Sequence, residues 1–168
     1  MKTVSVIAIL FLLGFIPVSA YGYISLAVNG NPADEYTTTV GSVIQIGGIS
    51  TDSSYYACYI ELLNPRTTAE WASWPSPQDP VILNIYPPPG GPPELQDIFM
   101  IETSTNPPPP GLQWTVDLRC IAQGDAIINL LDSGEQVIDT LTIHQVPEPM
   151  MVTLLALGGL MIRRRRKK

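Results

Sequence analysis

Residues that commonly carry catalytic or metal chemistry are scarce in this chain of 168 residues. It has one histidine, His144, so no pair of histidines can ligate a metal, and the strand pattern gives His144 no carboxylate neighbour for a proton relay. No Gly-x-Ser-x-Gly turn, phosphate-binding glycine loop, metalloprotease helix or internal repeat occurs. We therefore predict that the protein is not an enzyme and has neither catalytic nor metal-ligating residues.

Basic residues are almost absent from the middle of the chain. Between residues 21 and 145 only Arg66 and Arg119 are basic, against 14 Asp and Glu, so this stretch carries 2 − 14 = −12. The net charge of the whole chain, −6, conceals this because the other cations are in the terminal segments. An acidic segment of this kind argues against nucleic acid and against anionic lipid head groups as partners, so we expect no nucleic-acid partner.

The first twenty residues have the three parts of a secretory signal peptide. Lys2 supplies the positive charge, residues 4–16 are almost wholly apolar, and Pro17 is followed by small residues ending at Ala20. We predict cleavage after Ala20. An uncleaved membrane anchor or a buried first strand is the alternative.

An apolar run followed by a block of cations ends the chain. Residues 150–162 would form about 20 Å of helix, which is short for a hydrocarbon core of about 30 Å. The block is a stop-transfer signal that keeps the C-terminus on the cytoplasmic side: Arg163, Arg164, Arg165, Arg166, Lys167 and Lys168. We expect a short transmembrane helix that holds the preceding domain outside the membrane.

Val146 and the motif Pro147, Glu148 and Pro149, the short apolar helix and the terminal cations together resemble a PEP-CTERM sorting domain. This segment is also called the ice-binding protein C-terminal domain, a name that implies no ice binding. The resemblance implies recognition of the motif by an exosortase-type enzyme of a Gram-negative-type bacterium. It also implies anchoring in the inner membrane before processing and then a place at the cell surface or in the extracellular matrix. A plain tail anchor is the alternative.

Alternation of apolar and polar residues dominates residues 21–145, which predicts an all-β fold. The predicted strands are 24–28, 40–49, 56–62, 81–86, 97–103, 112–120, 126–131 and 137–144. The last of these, from Gly111 onward, resemble the closing strands of cohesin-like and bacterial immunoglobulin-like domains. We therefore expect a β-sandwich of immunoglobulin or cohesin type between a signal peptide (1–20) and a sorting signal (146–168).

The two cysteines both fall on the apolar face of their predicted strands. In an exported protein an even cysteine count indicates a disulfide, so we predict that Cys58 and Cys120 join the two inner faces. Free thiols are the alternative.

Proline is concentrated between residues 75 and 110, which hold 12 of the 17 prolines. Because proline cannot donate to a strand ladder, the runs 81–86 and 97–103 are predicted to be edge strands or irregular extensions. The whole segment is interpreted as stiff loops, with a docking or glycan-bearing surface as the alternative. Trp71 and Trp74 precede it, and either pack over the sandwich edge or stack on sugar rings.

Acidic loop residues complete the set of candidates. Asp34–Glu35, Asp52 and Asp132–Glu135 are interpreted as solvated, with a structural calcium ion as the alternative and no other cofactor expected. The function expected from the sequence is that of an exported structural or adhesive protein of the cell surface. A carbohydrate-binding module for matrix polysaccharide and a cohesin-like protein-docking domain are the alternatives.

Overall fold

The computed structural model describes residues 24–51, 57–103 and 109–148, and these residues form a β-sandwich. The predicted signal-peptide site at Ala20, Pro149 of the sorting motif and the cations 163–168 lie outside the described residues. No helix within the described ranges has the length and apolar character needed to cross a membrane.

Sheet A has the strand order β2-β1-β4-β10-β6, with β7 also paired to β10. Its strands are β1 (Ile24–Val28), β2 (Asn31–Pro32), β4 (Val43–Ser50), β6 (Ala69–Trp71), β7 (Ser76–Pro77) and β10 (Gly111–Cys120). All of its pairings are antiparallel.

Sheet B has the order β3-β12-β11-β5-β9-β8. Its strands are β3 (Glu35–Thr39), β5 (Ala57–Leu63), β8 (Leu83–Tyr86), β9 (Ile98–Thr103), β11 (Gly124–Asp132) and β12 (Val137–Val146). Strand β3 is parallel to β12, and the remaining pairs are antiparallel.

The predicted alternation assigns the inner faces correctly. Ile44 and Ile46 are buried while Gln45 is exposed, and Leu141 and Ile143 are buried on β12. On β10 the inward set is Trp114, Val116, Leu118 and Cys120, all at most 1% exposed. An all-β sandwich is thus confirmed.

Strand β9 corrects one expectation about the proline-rich segment. It is an inner strand paired on both sides, with β5 and with β8, whereas only β8 is at an edge. The reason is local, since residues 98–103 contain no proline and can therefore donate on both sides. Prolines bracket β8 instead, at Pro80 and Pro87, and shorten the exposed edge of the sheet.

A fully buried tryptophan of the core explains a glycine pair in β4. Trp114 is fully buried, and its indole lies against the backbone of Gly48, where an added Cβ would overlap the ring. An outward Cβ on the preceding Gly47 would meet Leu112 Cδ1 at 2.7 Å. The absence of side chains at both positions therefore allows β10 to pack closely across β4.

Two contacts hold the sheets together near β12. Asp139 Oδ2 accepts a hydrogen bond of 2.7 Å from the backbone N–H of Leu26 in sheet A. At the other end of β12, the turn 40–42 bonds to both sheets, because Val40 N–H donates to Val146 O (3.0 Å) and Gly41 N–H donates to Cys120 O (2.8 Å).

Candidate functional site

The outer face of sheet B carries a row of large apolar side chains that crosses five strands. Each neighbouring pair in the row is directly opposite in the strand register, so the side chains share one face. The members, from edge strand β8 to β12, are Tyr86, Met100, Tyr59, Leu131 and Val137. We call this set the apolar row.

The apolar row is accessible to a partner. Tyr86 is 50% exposed and Val137 is 55% exposed at its two ends, and the three residues between them are partly exposed. Ile138 lies beside Val137, is bulged out of the β11–β12 register, and is itself 40% exposed. This exposed apolar strip across a sheet face makes the row a candidate interaction site.

Acidic side chains flank the apolar row on both sides. On one side Glu102 is opposite Ala57 and Asn84, and on the other Glu61 is opposite Ile98 and Asn129. The amides of Asn84 and Asn129 each donate to the neighbouring carboxylate at 3.5 Å.

Neither arginine of the domain neutralises these carboxylates through an ion pair found among the described residues. Arg66 is paired with Asp97 at 3.1 Å, and Arg119 with Glu70 at 3.0 Å. Glu61, whose neighbour among the described residues is the amide of Asn129, therefore adds a carboxylate to one flank of the row.

His144 has carboxylate neighbours that the sequence pattern did not predict. Its Nδ1 is 2.9 Å from Asp125 Oδ1 on β11, and its Nε2 is 3.9 Å from Glu35 Oε2 on β3. The expectation that no carboxylate is near His144 was wrong. The alternation of residues along each strand does not give the β11–β12 register, and that register places Asp125 opposite His144. The three groups lie on the exposed sheet face near its β3 edge.

Cys58 and Cys120 are both buried, and both are free thiols. The predicted disulfide is not present, although both cysteines do point inward. Cys58 interacts with the indole of Trp114, whose N–H falls outside ordinary hydrogen-bond geometry. Cys58 thus lies beside Trp114 and not beside Cys120. Trp114 is six residues from Cys120, which is about 20 Å along β10, whereas the Cα atoms of a disulfide lie within about 7 Å of each other.

Burial makes both thiols unreactive. It raises the pKa of Cys58 to about 12, against which the contact with Trp114 has a smaller lowering effect. It also raises the pKa of Cys120, and a hydrogen bond with Ser42 again opposes the change. Because the thiolate is the reactive form, neither cysteine is set up as a nucleophile.

The two tryptophans proposed as a sugar platform are not displayed together. Trp71 is fully buried in β6 and packs on Phe99 with ring centroids 5.7 Å apart, so the prediction of a ligand contact at Trp71 was wrong. Trp74 is partly buried, packs on the same ring at 5.2 Å, and donates from Nε1 to Gly91 O at 3.1 Å. Both residues close the edge of the core.

The loop acids at the β11–β12 turn have a backbone role. Asp132 Oδ1 accepts hydrogen bonds from the N–H groups of Gly134 (2.8 Å) and Gln136 (2.9 Å). No group of three or more metal-ligating side chains was found in the described parts of the chain. Asp52 lies outside those parts.

The predicted sorting motif begins immediately after the last strand. Strand β12 is paired with β3 as far as Val146, and Pro147 and Glu148 follow it as partly buried and exposed residues respectively. The sandwich thus includes Val146, which the sequence had placed in the tail.

Comparison with known protein families found no matching family, and no curated protein matched. Among solved structures, the chain is similar to cohesin modules. They include the sixth cohesin of scaffoldin B from Acetivibrio cellulolyticus, determined in complex with a Cel5 dockerin mutant (11% identity, 73% of this chain, 99% of that chain, TM-score 0.47). They also include CaCohA2 of Clostridium acetobutylicum (12% identity, 73% and 90%, TM-score 0.45) and a non-cellulosomal cohesin of Archaeoglobus fulgidus (10% identity, 77% and 96%, TM-score 0.43).

Proposed function

We propose that this protein is an exported, non-catalytic docking module that binds another protein through the apolar row of sheet B. The observation that carries the proposal is the row itself, five apolar side chains in register across five strands with a carboxylate on each side. Tyrosine and methionine are among the residue types enriched at protein interfaces, and the row contains two tyrosines and one methionine.

The shape of the surface favours a macromolecular partner. Small molecules bind in concave sites that enclose most of their surface, whereas the apolar row lies along the outer face of a sheet. A protein can cover such a face, exclude water from Tyr59 and Met100 at its centre, and so use them as anchors.

The flanking charges specify the partner's chemistry. Glu61 borders the row on one side, so the complementary surface is an apolar ridge with a Lys or Arg side chain placed to meet Glu61. The sandwich of a second copy does not supply those cations, since Arg66 and Arg119, the two basic residues between positions 21 and 145, are ion-paired with Asp97 and Glu70. Two copies placed face to face would bring carboxylates against carboxylates.

The terminal segments support export and tethering. By its resemblance to a PEP-CTERM sorting domain, the tail would hold the sandwich outside the membrane until an exosortase-type enzyme processes it near Pro147 and Glu148. Val137, at one end of the row, is nine residues from Val146 along β12, or about 30 Å. The row would therefore be displayed away from the tether, at the cell surface or in the extracellular matrix.

Capture experiments with matched variants test the proposal. The domain, residues 21–148, is used to recover proteins from the envelope fraction of the native host, beside Tyr59→Ala/Met100→Ala and the control Val43→Ala. Val43 is 53% exposed on sheet A, so the control removes apolar surface elsewhere. A partner retained by wild type and control but lost by the double variant supports docking through the row. A partner bound equally by all three places the site elsewhere.

A further inference from the structure

A second group of side chains with ligand chemistry lies on the outer face of sheet B, near its β3 edge. Asp125, His144 and Thr37 are directly opposite one another on β11, β12 and β3. Glu35 is two residues before Thr37 on β3 and therefore lies on the same face. We call His144, Asp125 and Glu35 the histidine cluster.

The two ring nitrogens of His144 face different carboxylates. Nδ1 is 2.9 Å from Asp125 Oδ1, which is a hydrogen-bond distance, whereas Nε2 is 3.9 Å from Glu35 Oε2, which is too long for one. A neutral imidazole that donates its Nδ1–H to Asp125 carries a lone pair on Nε2, on the side of Glu35. A carboxylate that accepts from the other ring nitrogen is the usual device for orienting a metal-binding histidine.

The separation of Nε2 and Glu35 Oε2 suits two ligands of one zinc ion. Zinc binds nitrogen and oxygen at about 2.0–2.2 Å, so a tetrahedral arrangement places two such ligand atoms about 3.4 Å apart. The observed 3.9 Å would close to this value by a movement of about 0.5 Å. The side chain of Glu35 is 77% exposed, so it can make that movement without displacing the core.

The ligand set defines the class of ion. An imidazole nitrogen beside a carboxylate suits Zn²⁺, whereas the hard ions Ca²⁺ and Mg²⁺ prefer oxygen ligands alone. Since no group of three or more ligating side chains was found in the described ranges, water would complete the coordination. The sequence predicted no metal ligand because a second histidine is missing, but a site of one histidine and one carboxylate does not need one.

We propose that His144 Nε2 and Glu35 bind a zinc ion on the outer face of sheet B, with Asp125 as the positioning residue of the imidazole. The ion would join the edge strand β3 to β12. The apolar row crosses β12 at Val137, which is seven residues from His144, or about 23 Å along the strand. Zinc binding is therefore separate from docking on the row and from the fate of the tail.

Nitrogen-15 spectra of the imidazole ring test the proposal on the full chain in detergent micelles, without a histidine tag. His144 is the one histidine of the sequence, so the two ring signals belong to it alone. At pH 7.5 we expect ZnCl₂ to shift the Nε2 signal while Nδ1 keeps its proton. An Nε2 signal that does not move at a large excess of ZnCl₂, or loss of the Nδ1 proton instead, would overturn the proposal.

A matched pair of variants identifies the second ligand. Glu35→Gln preserves the size of the side chain and removes its charge, so the zinc affinity measured from the Nε2 signal should fall at least tenfold. Glu135→Gln is the control, since Glu135 is exposed in the β11–β12 turn and outside the histidine cluster, and it should leave the affinity unchanged. Equal affinities of the two variants would show that Glu35 is not a ligand.

Asp125→Asn tests the positioning role. Loss of a carboxylate behind a metal-binding histidine typically weakens binding by about tenfold or more, and we expect a loss of that size. Without zinc, the fraction of imidazole that carries its proton on Nδ1 should also fall, which a merely structural role would not produce. Unchanged affinity with an unchanged tautomer fraction would overturn the role of Asp125.

Calcium distinguishes this site from a cluster of solvated acids. CaCl₂ should neither shift the Nε2 signal nor compete with zinc at equal concentration. Competition would indicate a site made of oxygen ligands and would contradict the proposal. The amide spectrum of each variant shows that the sandwich is retained.

Discussion

Tyr59 and Met100 are directly opposite each other on β5 and β9, and their partly exposed side chains lie at the centre of the apolar row. Buried residues flank each of them along its own strand: Cys58 and Ile60 beside Tyr59, and Phe99 and Ile101 beside Met100. The core residues fix both strands, so the docking side chains are presented on a rigid support. The alternation that buries one face of β5 and β9 therefore exposes Tyr59 and Met100, the side chains proposed to contact a partner, on the other face.

Gly48 is expected to be intolerant of any side chain. Gly48→Ala would force a methyl group into the indole of Trp114, and overpacking of this kind costs about 1–3 kcal/mol of unfolding free energy. Urea unfolding of the domain measures the loss. Gly91→Ala is the matched control, since nothing lies within 4 Å of its added Cβ, and it should change stability by less than about 0.5 kcal/mol.

The carboxylate of Asp139 should stabilise the junction between the sheets. Asp139→Asn weakens the 2.7 Å bond from Leu26 N–H by removing the charge on the acceptor, and we expect a loss of about 1–2 kcal/mol in the unfolding free energy. Asp79→Asn, at an exposed position, is the control. Equal stability of the two variants in urea would show that this bond contributes little.

The two cysteines should behave as buried thiols. In the native domain neither should react with a thiol reagent at pH 8, and both should react in denaturant without added reductant. Intact mass under non-reducing conditions should match the dithiol form. A mass lower by about two hydrogens would show the disulfide that the sequence suggested.

Cys58 should make stability fall at alkaline pH. Its pKa is raised to about 12 in the folded domain, so the folded state favours the neutral thiol. The contribution is complete below the unfolded pKa of about 8.5 and is lost as pH rises from there toward 12. Urea unfolding of wild type and Cys58→Ala at pH 7, 9 and 10.5 measures how the unfolding free energy falls with pH. The difference between the two proteins separates the effect of Cys58 from that of tyrosine ionisation, which both share. Identical slopes would contradict it.

Trp71 and Trp74 should differ in their importance to the fold. Trp71 is fully buried, so Trp71→Ala should cost about 3–5 kcal/mol, whereas Trp74→Ala removes a partly exposed ring and should cost about half as much or less. Thermal unfolding ranks the two. Comparable small losses for both would mean that Trp71 is not the core residue described.

Alternation in the sequence was sufficient to predict which side chains of β4, β10 and β12 face the core. It did not predict β3, because Glu35–Thr39 is rich in threonine and has no apolar period, and its pairing depends on the distant strand β12. Knowing which residues of a strand point inward also does not determine how far one sheet is shifted along the other. That shift places Cys58 beside Trp114, six residues from Cys120, which is why the predicted disulfide was wrong.

The apolar row was not predictable for a related reason. Its five members come from five strands, and four of them are ordinary outward residues of their own strands. Val137 has the same parity as the buried Leu141 and Ile143 and is placed opposite Leu131 by the bulge at Ile138. Only the register brings them into line. The same holds for His144 and Asp125, whose contact follows from the β11–β12 pairing and from no local motif.

Site-specific photocrosslinking in the native envelope tests whether a partner docks on the apolar row of sheet B. A photoreactive phenylalanine analogue is placed at position 59, in the apolar row, and in a matched chain at position 43, on sheet A. We expect a discrete crosslinked protein from position 59, which is lost when Met100 is also changed to alanine, and none from position 43. Crosslinks of equal yield and identity from both positions, or none from position 59, would contradict docking through sheet B.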